Sequence, residues 1–336
     1  MNMQWIPAVA VLAVFSQQAA PSQKAAPAQQ AAPAQPELPE PIRVDVNLVN
    51  VLCSVRDKKG GLIGTLKKDD FTLFEDGKQQ EIKYFTRDTD LPLTIGLLVD
   101  VSGSQANLIA EERQAAHQFF SQVLRKKDMA FLISFGAESE LLQDSTNSLR
   151  LLHEGLGRLR LNAGVGGLHP GPVPTAGRPR GTVMFDAVYL AANERLSKEV
   201  GRKAIVLITD GDDQGSTLDR AAAIQAAQKA DSIVYSIYYV DNRAYMGHGG
   251  FARGGDGDLR KMSEETGGRV HHVDRKNTLD QIFKQIQEEM RSQYSIGYTP
   301  RDGGSAGGFR QLELRLADKN LKVQARKGYY AAKGLE

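Results

Sequence analysis

Leu93-Thr94-Ile95-Gly96-Leu97-Leu98-Val99 is a near-continuous apolar run that ends abruptly on Asp100. A strand that is apolar at almost every position, and not at alternate ones, is buried on both faces. Such strands belong to parallel sheets covered by helices on both sides. The middle of the chain keeps this grammar. Residues 106–126 carry Leu108, Ile109, Ala116, Phe119, Phe120, Val123 and Leu124 at helical spacing, then Met129–Phe135 reads as a second buried strand and Ser139–Gln143 as a short edge strand. Helices over Leu149–Leu159 and Ala187–Leu196, strand Ala204–Ile208, an Ala-rich helix over 218–230, strand Ile233–Val240, helix Leu259–Glu265, strand Gly268–Val273 and helix Thr278–Arg291 continue the alternation. Strand–helix alternation of this kind predicts an α/β fold, a doubly wound, mostly parallel sheet over residues 91–292.

The flanks read differently. Val44, Val46, Leu48 and then Val49, Val51, Cys53 and Val55 alternate with polar residues, with one slip. Phe71–Glu75 is a strand, Asp76-Gly77 a hairpin turn and Glu81–Phe85 its expected return. Past Gln293, Tyr294–Tyr298, Arg310–Leu316 and Leu321–Ala325 are again short alternating segments around a Gly-rich turn at 303–308. Sheets of two or three strands are marginal alone. Segments 41–89 and 293–330 are therefore expected to complete one another as a small β domain, with the α/β domain inserted between them.

Ahead of all this, Ile6–Phe15 is a short apolar run followed by Ser16, Ala19 and Ala20. Its length suits the apolar stretch of a secretory signal over residues 1–20 better than a membrane span. Residues 21–40 are almost wholly Ala, Pro and Gln, a composition that cannot bury enough apolar surface to offset its ordering entropy, and read as a disordered linker. The expectation is an exported protein, periplasmic or extracellular, with no transmembrane span in the mature chain.

Charge and cysteine content narrow the chemistry. Forty-two basic residues against 40 acidic ones leave a net charge of +2, which argues against nucleic-acid binding through bulk charge. The single cysteine, Cys53, rules out an intramolecular disulfide framework and any multi-Cys metal site, and in a strand it reads as a small buried hydrophobe. No Gly-x-Ser-x-Gly elbow exists around Ser102, and no Walker A loop or His-Glu-x-x-His helix occurs. His271-His272 alternate faces of a strand, and the reading for them is structural.

Open α/β sheets bind ligands beyond the carboxyl ends of their strands. The first buried strand runs into Asp100-Val101-Ser102-Gly103-Ser104, the strand 204–208 into Thr209-Asp210-Gly211-Asp212-Asp213, and Gly181-Thr182 precedes a helix. Asp100, Ser102, Ser104, Thr182 and Asp210 offer only hard oxygens, the donors suited to Mg²⁺, with Mn²⁺ or Ca²⁺ as alternatives. Each motif has a plainer reading. Ser102, Ser104 and Thr182 can cap helices, and Asp210-Gly211 can be only a turn.

At these residues the chain resembles the von Willebrand factor type A family and its metal-ion-dependent adhesion site. Asp100, Ser102 and Ser104 match the family's Asp-x-Ser-x-Ser, Thr182 falls in its Gly-Thr-x-x-x-Asp-Ala context with Asp186-Ala187, and Thr209-Asp210-Gly211 matches its Thr-Asp-Gly. Asp70–Gln80 and Ala325–Tyr330 look like a type A subfamily abundant in acidobacteria. Gln105-Ala106-Asn107 departs from integrin-type members, so no adjacent second metal site is expected. The resemblance implies a Mg²⁺-dependent protein-binding or adhesion module, not an enzyme, that captures an Asp or Glu of a protein partner.

Two loops on the same face, 162–180 and 241–257, are candidates for recognition. Tyr245, His248, Phe251 and Arg253, with Asp212 and Asp213, are the partner-binding candidates. Two alternatives stand beside this reading: a metal-dependent hydrolase, whose general base would have to be Asp212 or Asp213, and a scaffold with a vestigial metal site.

Overall fold

The computed structural model describes residues 48–87, 91–162, 181–241, 256–301 and 308–331, all within one unit, Val46–Glu336. The expected signal and linker, most of the two recognition loops, and the first residues of the N-terminal β segment lie outside the described residues.

The centre is a six-stranded sheet. Its strands are β5 (Leu93–Asp100), β6 (Met129–Phe135), β7 (Ser139–Thr146), β8 (Arg202–Thr209), β9 (Ser232–Tyr238) and β10 (Val270–His272), in the order β10-β9-β8-β5-β6-β7. All pairings are parallel except β6 with the edge strand β7. Every residue of β5 is buried, as a central strand of a two-sided sheet requires. Its side chains part between two cores. Ile95, Leu97 and Val99 pack with α1 (Ile109–Val123), α2 (Leu149–Gly157) and α6 (Leu279–Arg291). Leu98 faces α3 (Met184–Leu190), α4 (Arg220–Lys229) and α5 (Asp256–Thr266). Gly96 shares that second face. A Cβ there would stand 2.3 Å from the Phe131 ring, so the glycine is what lets this ring lie across the strand.

The chain leaves β5 toward β6 on one side and later returns to β8 on the other. The β5/β8 boundary is therefore the topological switch point, where crossovers diverge and leave a crevice at the strand ends.

Two four-stranded antiparallel sheets flank this domain. One runs β13-β1-β11-β4 and the other β14-β12-β2-β3. Here β1 is Val49–Arg56, β2 Phe71–Glu75, β3 Lys78–Gln80, β4 Tyr84–Thr86, β11 Tyr294–Tyr298, β12 Phe309–Leu316, β13 Lys322–Ala325 and β14 Gly328–Tyr330. Strands from both ends of the chain alternate in the first sheet and meet at the β12/β2 boundary in the second. β1 pairs with β11 and β13, and β2 pairs with β12. They share a third core built on Val51, Cys53, Val55, Phe71, Leu73, Ile296, Tyr298 and Leu312. Cys53 is buried there, and burial pushes its thiol pKa up, so it behaves as the small hydrophobe expected.

The hairpin departs from expectation. The return strand of β2 is Lys78–Gln80, not Glu81–Phe85. Asp76 (φ 47°) and Gly77 (φ 76°) form a two-residue turn with both central residues left-handed, the form that matches strand twist, and Lys78 is thereby set opposite Glu75. The later residues, 84–86, cross to the other sheet and pair with β11.

The β sheets are tied to the α/β domain by a buried carboxylate. Glu289, in the last turn of α6, accepts hydrogen bonds from the Ser54 hydroxyl (2.9 Å) and from Arg56 (2.5 Å), both on β1, and pairs with Arg269 at 3.2 Å.

Candidate functional site

Three segments meet at the carboxyl edge of the sheet. β5 delivers Asp100, and Val101 donates its N–H to the Phe135 carbonyl at the end of β6. β8 delivers Thr209 and then Asp210. The segment before α3 is drawn in from both sides. The Thr182 carbonyl accepts from the N–H groups of Gln214 and Gly215, and the Val183 N–H donates to Gly136. Backbone pairing alone thus brings residues 100–104, 181–183 and 209–215 to one edge of the sheet.

Within this cluster Asp100 is fully buried. One carboxylate oxygen accepts from the Ser102 N–H at 2.9 Å and the other from the Thr209 hydroxyl at 2.6 Å. Thr209 Oγ1 in turn accepts from the Gly211 N–H at 2.9 Å, which folds the Asp210-Gly211 turn back on the strand end; Gly211 has φ 77°, a left-handed conformation that suits glycine. The hydroxyls of Ser102 and Ser104 lie 3.1 Å apart.

The helix-capping alternatives can be checked directly. Ser102 precedes a short 3₁₀ turn, Gly103–Gln105, without a side-chain cap bond, and α1 is entered through Leu108, also without a side-chain cap. α3 is entered through Val183, again with no side-chain cap. None of Ser102, Ser104 and Thr182 is a capping residue.

Electrostatics mark the same place. Burial, and then the neighbouring Asp210 carboxylate, push the Asp100 pKa up to about 7. Asp210 is itself buried. Glu112, one turn into α1, is fully buried and its pKa is driven well above the carboxylate range, first by burial and then by Asp100, Glu111 and Asp210. Both its carboxyl oxygens lack a hydrogen-bond partner among the described residues. Three acids are therefore buried in one region, and a carboxyl so placed is neutralised either by a proton, as the raised Glu112 pKa favours, or by positive charge nearby.

Glu112 and the fully buried Gln105 are the site residues the sequence reading missed. Glu112 is three residues after Ile109 and four before Ala116, on the stripe that includes Phe119 and Val123, so its burial had a signal in the helical period. Gln105 donates its side-chain N–H to the Tyr239 carbonyl at 3.2 Å, joining the 102–105 turn to the end of β9.

Asp212 and Asp213 separate in role. Asp213 accepts from the Phe185 N–H (3.0 Å) and from the Ser216 hydroxyl (2.6 Å) and N–H (3.3 Å), so its carboxylate is engaged in holding the 212–216 loop against α3. Asp186 reinforces the clasp by accepting from the N–H groups of Thr217 and Leu218, each at 2.9 Å. Asp212 is half-buried and accepts from the Gln214 amide at 2.7 Å. Tyr245, His248, Phe251 and Arg253 lie outside the described residues.

The donor set fits a hard cation. Two buried carboxylates on segments 100–104 and 209–215, the Ser102 and Ser104 hydroxyls beside Asp100 and the Thr182 hydroxyl of the third segment supply oxygen only, and the repulsion between Asp100 and Asp210 would be relieved by a divalent ion. No group of three or more His, Cys, Asp or Glu positioned to hold a metal occurs among the described residues, which leaves a site mixed with hydroxyls as the form a metal centre would take here.

No family model matches the chain, and no curated protein matches it. Solved structures do. An aerotolerance-related membrane protein from Bacteroides fragilis is 17% identical over 59% of this chain and 98% of its own, with a TM-score of 0.42. The BatB protein from Bacteroides thetaiotaomicron is 16% identical over 59% and 98%, with a TM-score of 0.41. A von Willebrand factor type A protein from Catenulispora acidiphila is 12% identical over 86% of this chain and 75% of its own, with a TM-score of 0.45. The assignment of the doubly wound fold rests on the strand order and pairing described above.

Proposed function

We propose that the protein is an exported protein-binding module, non-enzymatic, that holds Mg²⁺ at the β5/β8 switch point and captures an acidic side chain of a partner there. Asp100, Ser102, Ser104, Thr182 and Asp210 would hold the ion. Bound there, Mg²⁺ supplies positive charge and a coordination position at which a partner's Asp or Glu can replace water. The observation that carries this reading is the pair of facing hydroxyls, Ser102 and Ser104, beside the buried Asp100 and Asp210, with neither serine serving as a helix cap. Gln105 and the Asp186–Asp213 clasp are positioning residues, since they fix the turns on which the oxygen donors ride. The hydrolase alternative is weakened because Asp213, one of its two candidate bases, is engaged with Phe185 and Ser216.

The test is a Mg²⁺ titration of the wild-type chain and Asp100→Ala, followed by thermal unfolding and by calorimetry with an Asp-rich peptide. At 100 times its dissociation constant the ion should stabilise the native state by about 2.7 kcal/mol, which for a protein of this size raises Tm by roughly 5–10 °C. Asp100→Ala should remain folded without Mg²⁺ and lose both that shift and peptide binding. Equal Mg²⁺-dependent shifts in the two proteins would refute the site.

A further inference from the structure

A polar cavity lies away from the switch point, where the β sheets meet the α/β domain. It measures about 540 Å³ and draws its lining from β1 and the turn after it, from β13 and Lys327 beyond it, and from the end of α5 with the approach to β10. Five cationic side chains line it, Arg56, Lys58, Arg269, Lys322 and Lys327, against two acidic ones, Asp57 and Glu264. The whole chain carries only +2, so this is a local concentration of charge and not a background.

The cations divide by depth. Arg56 and Arg269 are the sheltered pair, with side chains 15% and 27% exposed, and both converge on the single buried carboxylate of Glu289. One carboxylate cannot neutralise two guanidinium groups, so the interior keeps a net positive charge. Burial, then Arg269 and Arg56, push the nearby His271 pKa down to about 3. Lys58, Lys322 and Lys327 are exposed and form no ion pair among the described residues. Asp57 Oδ1 accepts from the N–H groups of Lys59 and Gly61 and closes the turn, and with Asp57 and Glu264 both counted against the five cations the lining keeps an excess of three positive charges.

We propose that this cavity binds a multivalent phosphate-type oxyanion, held by the three lysines at the mouth and attracted by the arginine pair beneath. Its volume lies in the range of small-ligand sites, and guanidinium and ammonium groups are the side chains that recognise phosphate oxygens. Because both domains line it, a bound anion would link β1 and β13 to α5.

The experiment is calorimetry of the full chain in Mg²⁺-free buffer with inorganic pyrophosphate, with citrate as the carboxylate counterpart. Saturable pyrophosphate binding is expected below about 1 mM, weakening as salt is added. Lys322→Gln/Lys327→Gln should weaken it about tenfold or more, since charge-assisted hydrogen bonds are lost, with an unchanged Tm because both positions are exposed. Asp100→Ala should bind pyrophosphate as the wild type does, which separates this site from the proposed metal centre. Absence of saturable binding, equal affinity in the double lysine variant, or citrate binding as tightly as pyrophosphate would each overturn the proposal.

Discussion

His271 shows how one residue records its surroundings. It is buried on β10, and desolvation, then the arginines at 269 and 56, push its pKa down to about 3. The unfolded chain binds a proton there near the ordinary histidine pKa of 6.5, whereas the folded chain does not, so stability is complete above pH 6.5 and falls as the pH drops toward 3. The slope expected from this group alone is at most about 1.4 kcal/mol per pH unit. In urea unfolding measured from pH 6.5 to 4, His271→Leu should flatten the slope by that amount; an unchanged slope would show that His271 is not held neutral. Side chains differ in how far the sequence exposes them. Asp100, Ser102, Ser104 and Asp210 were legible because each follows a recognisable buried strand at fixed spacing, and strand ends are where this fold places ligands. Glu112 and Gln105 were not read, because a polar residue on a helix or in a turn is ordinarily solvated. Only its place on the stripe with Ile109 and Ala116 distinguishes Glu112.

At the scale of elements, α6 was the most legible segment and its most consequential residue the least. Thr278 caps it in a reciprocal box with Gln281, and Ile282, Phe283, Ile286 and Met290 bury its apolar face, with Phe283 stacked on Phe119 of α1 at 4.4 Å between ring centroids. Glu289 sits among exposed-type residues in the sequence, yet it is the fully buried anchor for Ser54, Arg56 and Arg269. Glu289→Ala should destabilise the protein by about 3–5 kcal/mol, because it leaves two partly buried guanidinium groups facing one another without a counter-charge. Chemical denaturation would check this, and a loss below 1 kcal/mol would mean that water compensates the arginines. The hairpin after Phe71 illustrates the opposite limit. The Asp76-Gly77 turn was legible from residue type, but Lys78–Gln80 carry no strand pattern, and they pair because the two-residue turn leaves them no other register.

For the whole molecule, the sequence announced that both flanks were β and that neither was sufficient alone, but not the strand order, which depends on contacts far apart in the chain. A fragment of residues 91–292 keeps the six-stranded sheet and all six described helices, and should unfold cooperatively, though less stably than the full chain because Glu289 loses Ser54 and Arg56. Residues 48–87 alone lack β11, β12 and β13 and should give the collapsed amide dispersion of an unordered chain; a well-dispersed NMR spectrum would contradict this. The interleaving of the two ends also sets a timetable. Asn50 receives a hydrogen bond from Ser295, a residue 245 positions later. At ribosomal rates of about 5–20 residues per second, β1 waits roughly 12–50 s for its first partner strand. Throughout that interval Val51 and Cys53 lack the strands that flank them in the sheet and stand open to the same strands of a neighbouring nascent copy. Assembly must therefore run from the middle of the chain outward, and exchange of first strands between copies is the misassembly to which this architecture is most exposed.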